Sequence, residues 1–298
     1  MPSPLAGVLQ TLSAPFTYAF MVNAFEAGTV IAIVAGVIGW FMVLRRQSFA
    51  GHALAVVGFP GAAGATLLGI GVAWGYFAFC IAAAAAIALL PGAMGGGRGE
   101  QPAVTGTVQA FALACGFLFV SLYHGYLNGI SALLFGSFLG VTHGQVLVLA
   151  VVGAVTLALL ALVGRPLLFA SLDAQVAAAR GVPVRALSVV FLLLLGAAVA
   201  EASQITGTLL VFALLVAPPA TAQILTARPS VGLLVSPLIA LAITWAGLGI
   251  AYWWPYPIGF VITTLAFAVY VSARLGRAWS ERRGLREGPN AARTEASA

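Results

Sequence analysis

Long apolar runs, broken by short turns that hold arginines, fill this chain from residue 19 to residue 273. No soluble core could absorb them. Hydrophobic residues make up 62% of the 298 and charged residues only 7%, against about 25% charge in an ordinary soluble domain. Lipid must solvate the surplus apolar surface. A segment in lipid has to satisfy its own backbone, which leaves helices or closed barrels. Most runs are about 18–25 residues long and lack strict alternation, so helices are favoured over strands. The expected fold class is all-α: a polytopic helical membrane protein with about eight or nine transmembrane helices.

Hydropathy places candidate spans at 19–44, 53–71, 73–94, 104–122, 145–164, 186–200, 207–225, 231–252 and 257–273. The arginines orient them. Arg45 and Arg46 follow the first span, Arg98 the third, and Arg165, Arg180 and Arg185 the fifth. Arg228 follows the seventh and Arg274 the ninth. Every arginine-bearing loop thus falls on one side, and cations at span ends mark the cytoplasm. The other side holds Trp74-Gly75, the loop near 123–144 and Trp253-Trp254-Pro255-Tyr256-Pro257, an aromatic belt. The expectation is an N-terminus outside and a C-terminus inside. Residues 1–18 form an N-terminal segment, 19–275 the transmembrane domain, and 276–298 a polar, disordered tail. The apolar stretch 127–141 is short and glycine-broken, which suits a re-entrant helix.

The net charge of +6 comes without a single lysine. Its arginines are scattered between spans rather than patched, which argues against nucleic-acid binding. Cys80 and Cys115 lie within apolar runs and read as small core residues. The start shows no cleavable signal peptide. Gly95–Gly99 reads as a flexible turn, because it lacks the strand, helix and lysine of a phosphate cradle. No catalytic constellation is present, so the chain is not expected to be an enzyme or to bind a cofactor of its own.

Few polar residues remain. Glu26 lies near the outer start of the first span. Glu201 lies in Ala200-Glu201-Ala-Ser203-Gln204-Ile-Thr206, as either a polar lining to a pathway or a helix-end residue. His52 enters the second apolar run, where an ionisable group is costly. Its helical neighbours Ala55 and Val56 supply no second ligand, while a transition-metal site wants three or four donors. His124 and His143 are too far apart to make a readable site. On the cytoplasmic side, Asp173 to Val184 reads as a short helix. Ser171 or Asp173 caps its start, and Arg180 and Gly181 end it. Such a helix suits docking into a partner's groove, although a plain surface loop helix would look the same.

With these residues in view, the chain resembles the permease subunits of zinc- and manganese-type ABC importers, the ABC-3 family. The likeness covers about residues 19–273. Arg45-Arg46-x-Ser48-x-x-Gly51 followed by Pro60-Gly61 is similar to the family's first cytoplasmic turn and second helix. Phe135-Gly136-Ser137 with Gly140 resembles its glycine–serine segment. Asp173-x-x-x-Ala177-x-x-x-Gly181 is similar to its coupling segment. The run from Gly207 through Pro218 to Ala222 is close to the family signature, and Pro257-x-Gly259 fits the last span.

The resemblance implies a permease homodimer in a bacterial inner membrane, fed by an extracellular or periplasmic substrate-binding protein. It also implies a cytoplasmic ATP-binding subunit that hydrolyses ATP and receives the coupling segment: Asp173, Gln175, Ala177, Arg180 and Gly181. The substrate would be a divalent transition metal such as zinc or manganese. The family usually carries Asp at the position of His52 and His at that of Val56. Here one donor has changed type and the other is gone, so the metal-site candidates are His52 and Glu201. Rival readings are an ABC permease for another substrate such as a metal chelate, a gradient-driven secondary transporter, and a non-transporting scaffold. The lack of a mid-membrane carboxylate and the coupling-like helix disfavour the secondary transporter.

Overall fold

The structure is a computed structural model that describes residues 14–90, 100–123, 138–254 and 256–295. Among these residues it is built of helices alone: α1 (Ala19–Leu44), α2 (Ser48–Leu68), α3 (Val72–Leu89), α4 (Glu100–Leu122), α5 (His143–Leu172), α6 (Ala174–Ala179), α7 (Val184–Leu225), α8 (Pro229–Trp253) and α9 (Ile258–Glu295). Short 3-10 turns cover Ala14–Thr17 and Phe138–Gly140. Eight of the helical segments are long and apolar enough to cross a membrane, and Leu210–Leu225 is a shorter apolar helix beside them.

Turn chemistry sets the boundaries. α1 stops at Arg45 and Arg46, where Arg46 takes a left-handed φ of 57°. α2 ends on Gly69 at φ 68°, a common helix stop, because glycine has no Cβ to clash there. α5 starts from a capping box in which the Thr142 hydroxyl accepts from the Gln145 N–H and the Gln145 side chain accepts from the Thr142 N–H. That pairing satisfies two otherwise orphaned donors at the helix start.

α7 is two helices joined at a hinge. Gly207 has φ 74° and ψ 165°, a region open in practice to glycine alone. The ends of both arms return to one end of α1. Ser188 on the first arm accepts a bond from Arg45, and Gln223 on the second donates to the Trp40 carbonyl. A straight helix from 188 to 223 would run roughly 50 Å at 1.5 Å per residue, so the chain must reverse at the hinge. The two arms therefore match the separate sixth and seventh spans expected from sequence, and their ends fall on the arginine-bearing side.

The folded-back α7 is the hub. It packs against α1, α2, α3, α5, α8 and α9, while α4 lies outside against α2 and α3. Small residues allow close approach, as when the α2 backbone meets the α3 backbone at Gly61 and Gly75. That is how membrane helices gain packing where lipid removes the hydrophobic drive. Cys80 is buried and contacts the Leu54 carbonyl, and both cysteines are free, as core residues would be.

Several boundaries differ from the sequence reading. α5 extends to Leu172, past the expected end at 164, and carries Arg165 and Pro166 within it. α9 continues through the segment 276–295 that composition marked as a disordered tail. The Arg277–Glu281 pair at 3.0 Å, one turn apart, supports its first part. The expected glycine turn at 95–99 and most of the expected re-entrant stretch at 127–141 lie outside the described residues. Phe138 and Val141, at its end, are buried. The Val141 carbonyl accepts from the Asn23 amide, and His143 stands 3.8 Å from Glu26. These contacts hold the outer ends of α1 and α5 together.

Candidate functional site

Two groups of polar side chains stand out against the apolar bundle. One is at the cytoplasmic end and is fully partnered. The other lies within the bundle and is not.

The cytoplasmic group begins at Arg45. Its guanidinium donates from Nη2 to Ser188 Oγ at 2.6 Å, from Nη1 to Ser171 Oγ at 3.1 Å, and from Nε to Gln47 Oε1 at 3.4 Å. Its carbon lies 5.4 Å from the Phe191 ring centroid, a cation–π contact. Each serine in turn donates back to its own helix, at Leu167 and Val184. Burial lowers the Arg45 pKa from its ordinary value, yet arginine stays charged in proteins. Ser171 ends α5 and Ser188 begins α7, so Arg45 pins both flanks of α6. Sequence reasoning took Arg45 only as a topology marker. The serines on either side of the short helix were the signal for its further role.

α6 is a single capped turn. The Asp173 carboxylate accepts from the Gln175 and Val176 N–H groups at 3.0 and 2.9 Å. Arg180 caps its end, and Gly181 follows at φ 81°. Asp173, Gln175, Arg180 and Gly181 are exposed, as a docking segment requires. Ala177 is not: it is fully buried against the rest of the chain. Within the chain it therefore anchors α6, and the exposed positions of the coupling segment are the other four. A one-turn helix must turn one face inward to be held at all, and the small residue is the one that fits. The exposed large apolar residues of this segment are Leu172, at the end of α5, and Val176, within α6.

Within the bundle, Glu201 on the first arm of α7 is only 3% exposed, and among the described residues neither carboxylate oxygen has a hydrogen-bond partner. Its approach to the Gly153 backbone of α5 falls short of a well-formed bond. A Cβ at Gly153 would stand 3.1 Å from Oε1 and equally close to Val30 of α1, so the acid is wedged among α1, α5 and α7. Ser203, two residues on, faces Gly58 of α2, and its hydroxyl is also buried and unpartnered. An uncompensated buried charge costs several kcal/mol.

His52 sits one turn into α2 with its ring 4.8 Å from that of Phe212, just beyond the hinge. Its Nδ1 is buried without a partner. Val56, one turn on, is half-buried and brings no donor. The structure thus places Glu201 against α1 and α5, and His52 against the second arm of α7. No three His, Cys, Asp or Glu side chains gather into a metal cluster among the described residues.

The profile of the ABC 3 transport family matches residues 17–276, nearly the whole bundle. The chain belongs to the ABC 3 transport family. A chelated iron transport system membrane protein of Yersinia pestis, YfeC, is 30% identical over 89% of each chain. The manganese transport system membrane protein MntC of Listeria monocytogenes is 31% identical over 76% of this chain and 78% of its own. The solved PsaBC from Streptococcus pneumoniae superposes with a TM-score of 0.78 at 26% identity, covering 89% of this chain and 95% of that one. A second solved ABC transporter, at 16% identity and a TM-score of 0.72, shares the fold. As an ABC 3 permease, the chain is a multi-pass membrane protein of an ABC transporter.

Proposed function

We propose that this permease imports a divalent transition metal ion across a bacterial inner membrane, as half of a homodimer. A separate cytoplasmic ATP-binding subunit performs the hydrolysis, and an external binding protein delivers the substrate. The family and the relatives named for manganese and chelated iron transport support the substrate class. One structural observation carries the coupling: a capped, exposed α6 is clamped at both flanks by Arg45, which ends α1. The exposed Leu172 and Val176 supply apolar surface for docking on the ATPase, and the Asp173 cap keeps the turn formed.

His52 and Glu201 act as successive single donors, not as one site. Each offers a buried polar atom without a partner, and a passing cation would relieve that cost. Hard oxygen and borderline nitrogen donors accommodate manganese, iron and zinc to different degrees.

The test is uptake of radiolabelled manganese, zinc and ferrous iron by cells that express the permease with its own ATPase and binding protein. Uptake of one or more of these ions is expected, and it should stop when the ATPase is made unable to hydrolyse ATP. Uptake that survives that change and collapses with the proton gradient would overturn the reading. Uptake of metal only as a chelate would overturn the free-ion assignment.

A further inference from the structure

A groove of about 490 Å³ opens on the bundle surface between α1, α5 and α8. Its walls are apolar, with Val37 and Phe41 from α1, Leu157 and Leu160 from α5, and Leu233 from α8. Arg165 is the one charged residue that lines it. Along α5 the lining runs from Leu157 to Leu168, roughly 16 Å at 1.5 Å per residue.

The position of Arg165 is unusual. It lies six residues before Ser171, whose hydroxyl is bonded to Arg45 at the cytoplasmic end, so it sits roughly 9 Å inside that end of α5. An arginine this far within a spanning helix normally faces a partner or a water-filled cavity. Arg165 is exposed, and among the described residues it has no ion pair or hydrogen bond. Two acids on this side are otherwise engaged: Asp173 caps α6 and Glu281 pairs with Arg277. A free cation at the rim and a long apolar trough beneath it match one kind of molecule in both charge and shape.

We propose that this groove binds an anionic phospholipid of the cytoplasmic leaflet. The headgroup phosphate pairs with Arg165, and one acyl chain lies along Leu157, Leu160 and Leu233. Arginine suits the role, because its planar fork can bond two phosphate oxygens together. Basic pockets between helices on the cytoplasmic side are where anionic headgroups are held. Trp40, at the inner wall, would lie under the chain. Neither His52 nor Glu201 lines the groove, and the lipid test does not depend on which ion is carried.

The experiment is native mass spectrometry of the purified permease released from micelles, titrated with phosphatidylglycerol or phosphatidylcholine of identical chains. The wild type should retain a phosphatidylglycerol adduct in preference to phosphatidylcholine. In Arg165→Gln that preference should vanish, with retention falling to the phosphatidylcholine level, and Arg165→Lys should restore part of it. Leu157→Trp, which fills the trough and leaves the charge, should reduce retention of both lipids. Equal retention of the two lipids by the wild type would overturn the proposal, as would full phosphatidylglycerol retention by Arg165→Gln. A second copy of the chain is the competing occupant. If Leu157→Cys in a Cys115→Ser background cross-links efficiently between copies in native membranes, the groove is a protein interface and the lipid assignment fails.

Discussion

The cytoplasmic clamp and the core of the bundle handle polar groups in opposite ways. Around Arg45 every nitrogen of the guanidinium has an acceptor, and each serine acceptor bonds onward to its own helix. Around Glu201 two carboxylate oxygens and the Ser203 hydroxyl are buried without a well-formed hydrogen bond among the described residues, and His52 Nδ1 shares that condition. A satisfied network holds a shape, because each member fixes the next. An unsatisfied one is a standing cost that folding alone does not explain. The contrast is the reason for proposing a structural and coupling role for the clamp and an ion-handling role for the buried acid and imidazole.

The comparison is most easily broken at Glu201. Glu201→Gln keeps the shape and removes the ionisable carboxyl group. Metal uptake should fall by about tenfold or more, equivalent to roughly 1.4 kcal/mol of lost stabilisation. The melting temperature of the purified permease should stay close to that of the wild type, since one buried polar group replaces another of the same shape. A lower melting temperature with normal uptake would make Glu201 a structural residue. Arg45→Ala should do the reverse at the other pole. It removes bonds to a charged group worth about 1.5–3 kcal/mol each, so thermal stability should drop clearly. Co-purification with the ATPase should weaken, because both flanks of α6 come loose. Intact co-purification would separate the clamp from coupling.

A smaller loss is expected at the hinge. Gly207→Ala forces a side chain into a glycine-only conformation, at a cost of about 1–3 kcal/mol. It should lower the melting temperature and impair uptake together, because the hinge positions both Glu201 and Phe212. The smallest effect belongs to the α6 cap. Asp173→Ala should cost about 1 kcal/mol, seen as faster hydrogen exchange at Gln175 and Val176 with the bundle unchanged. Protection unchanged at those two amides would mean that the cap does not hold the turn.

The positions of the docking residues show where the sequence stops being informative. Asp173, Arg180 and Gly181 were readable as cap, end and left-handed stop, because capping chemistry is local. That Ala177 would face inward was not readable, since the direction a short helix faces depends on what it packs against. Leu172 and Val176 were passed over for the same reason. In α7, the polar cluster from Glu201 to Thr206 was visible in the sequence. That its carboxylate would be wedged against Gly153, some fifty residues away, was not.

Composition and hydropathy by themselves determined a helical multi-pass membrane protein and the rough positions of its spans, and the arginine pattern gave an expected orientation. Those properties follow from transferring each segment independently between water and lipid. Motif order likewise pointed to the ABC 3 family without any contact being known. Only the tertiary structure decided that α7 folds back at Gly207 as the hub of the bundle. It alone showed that Arg45 ties α5 to α7, that Glu201 and His52 face different helices, and that Arg165 borders an apolar groove. Each of these depends on contacts between residues far apart in the chain, whose partners are chosen by packing and hydrogen-bond satisfaction and not by local preference.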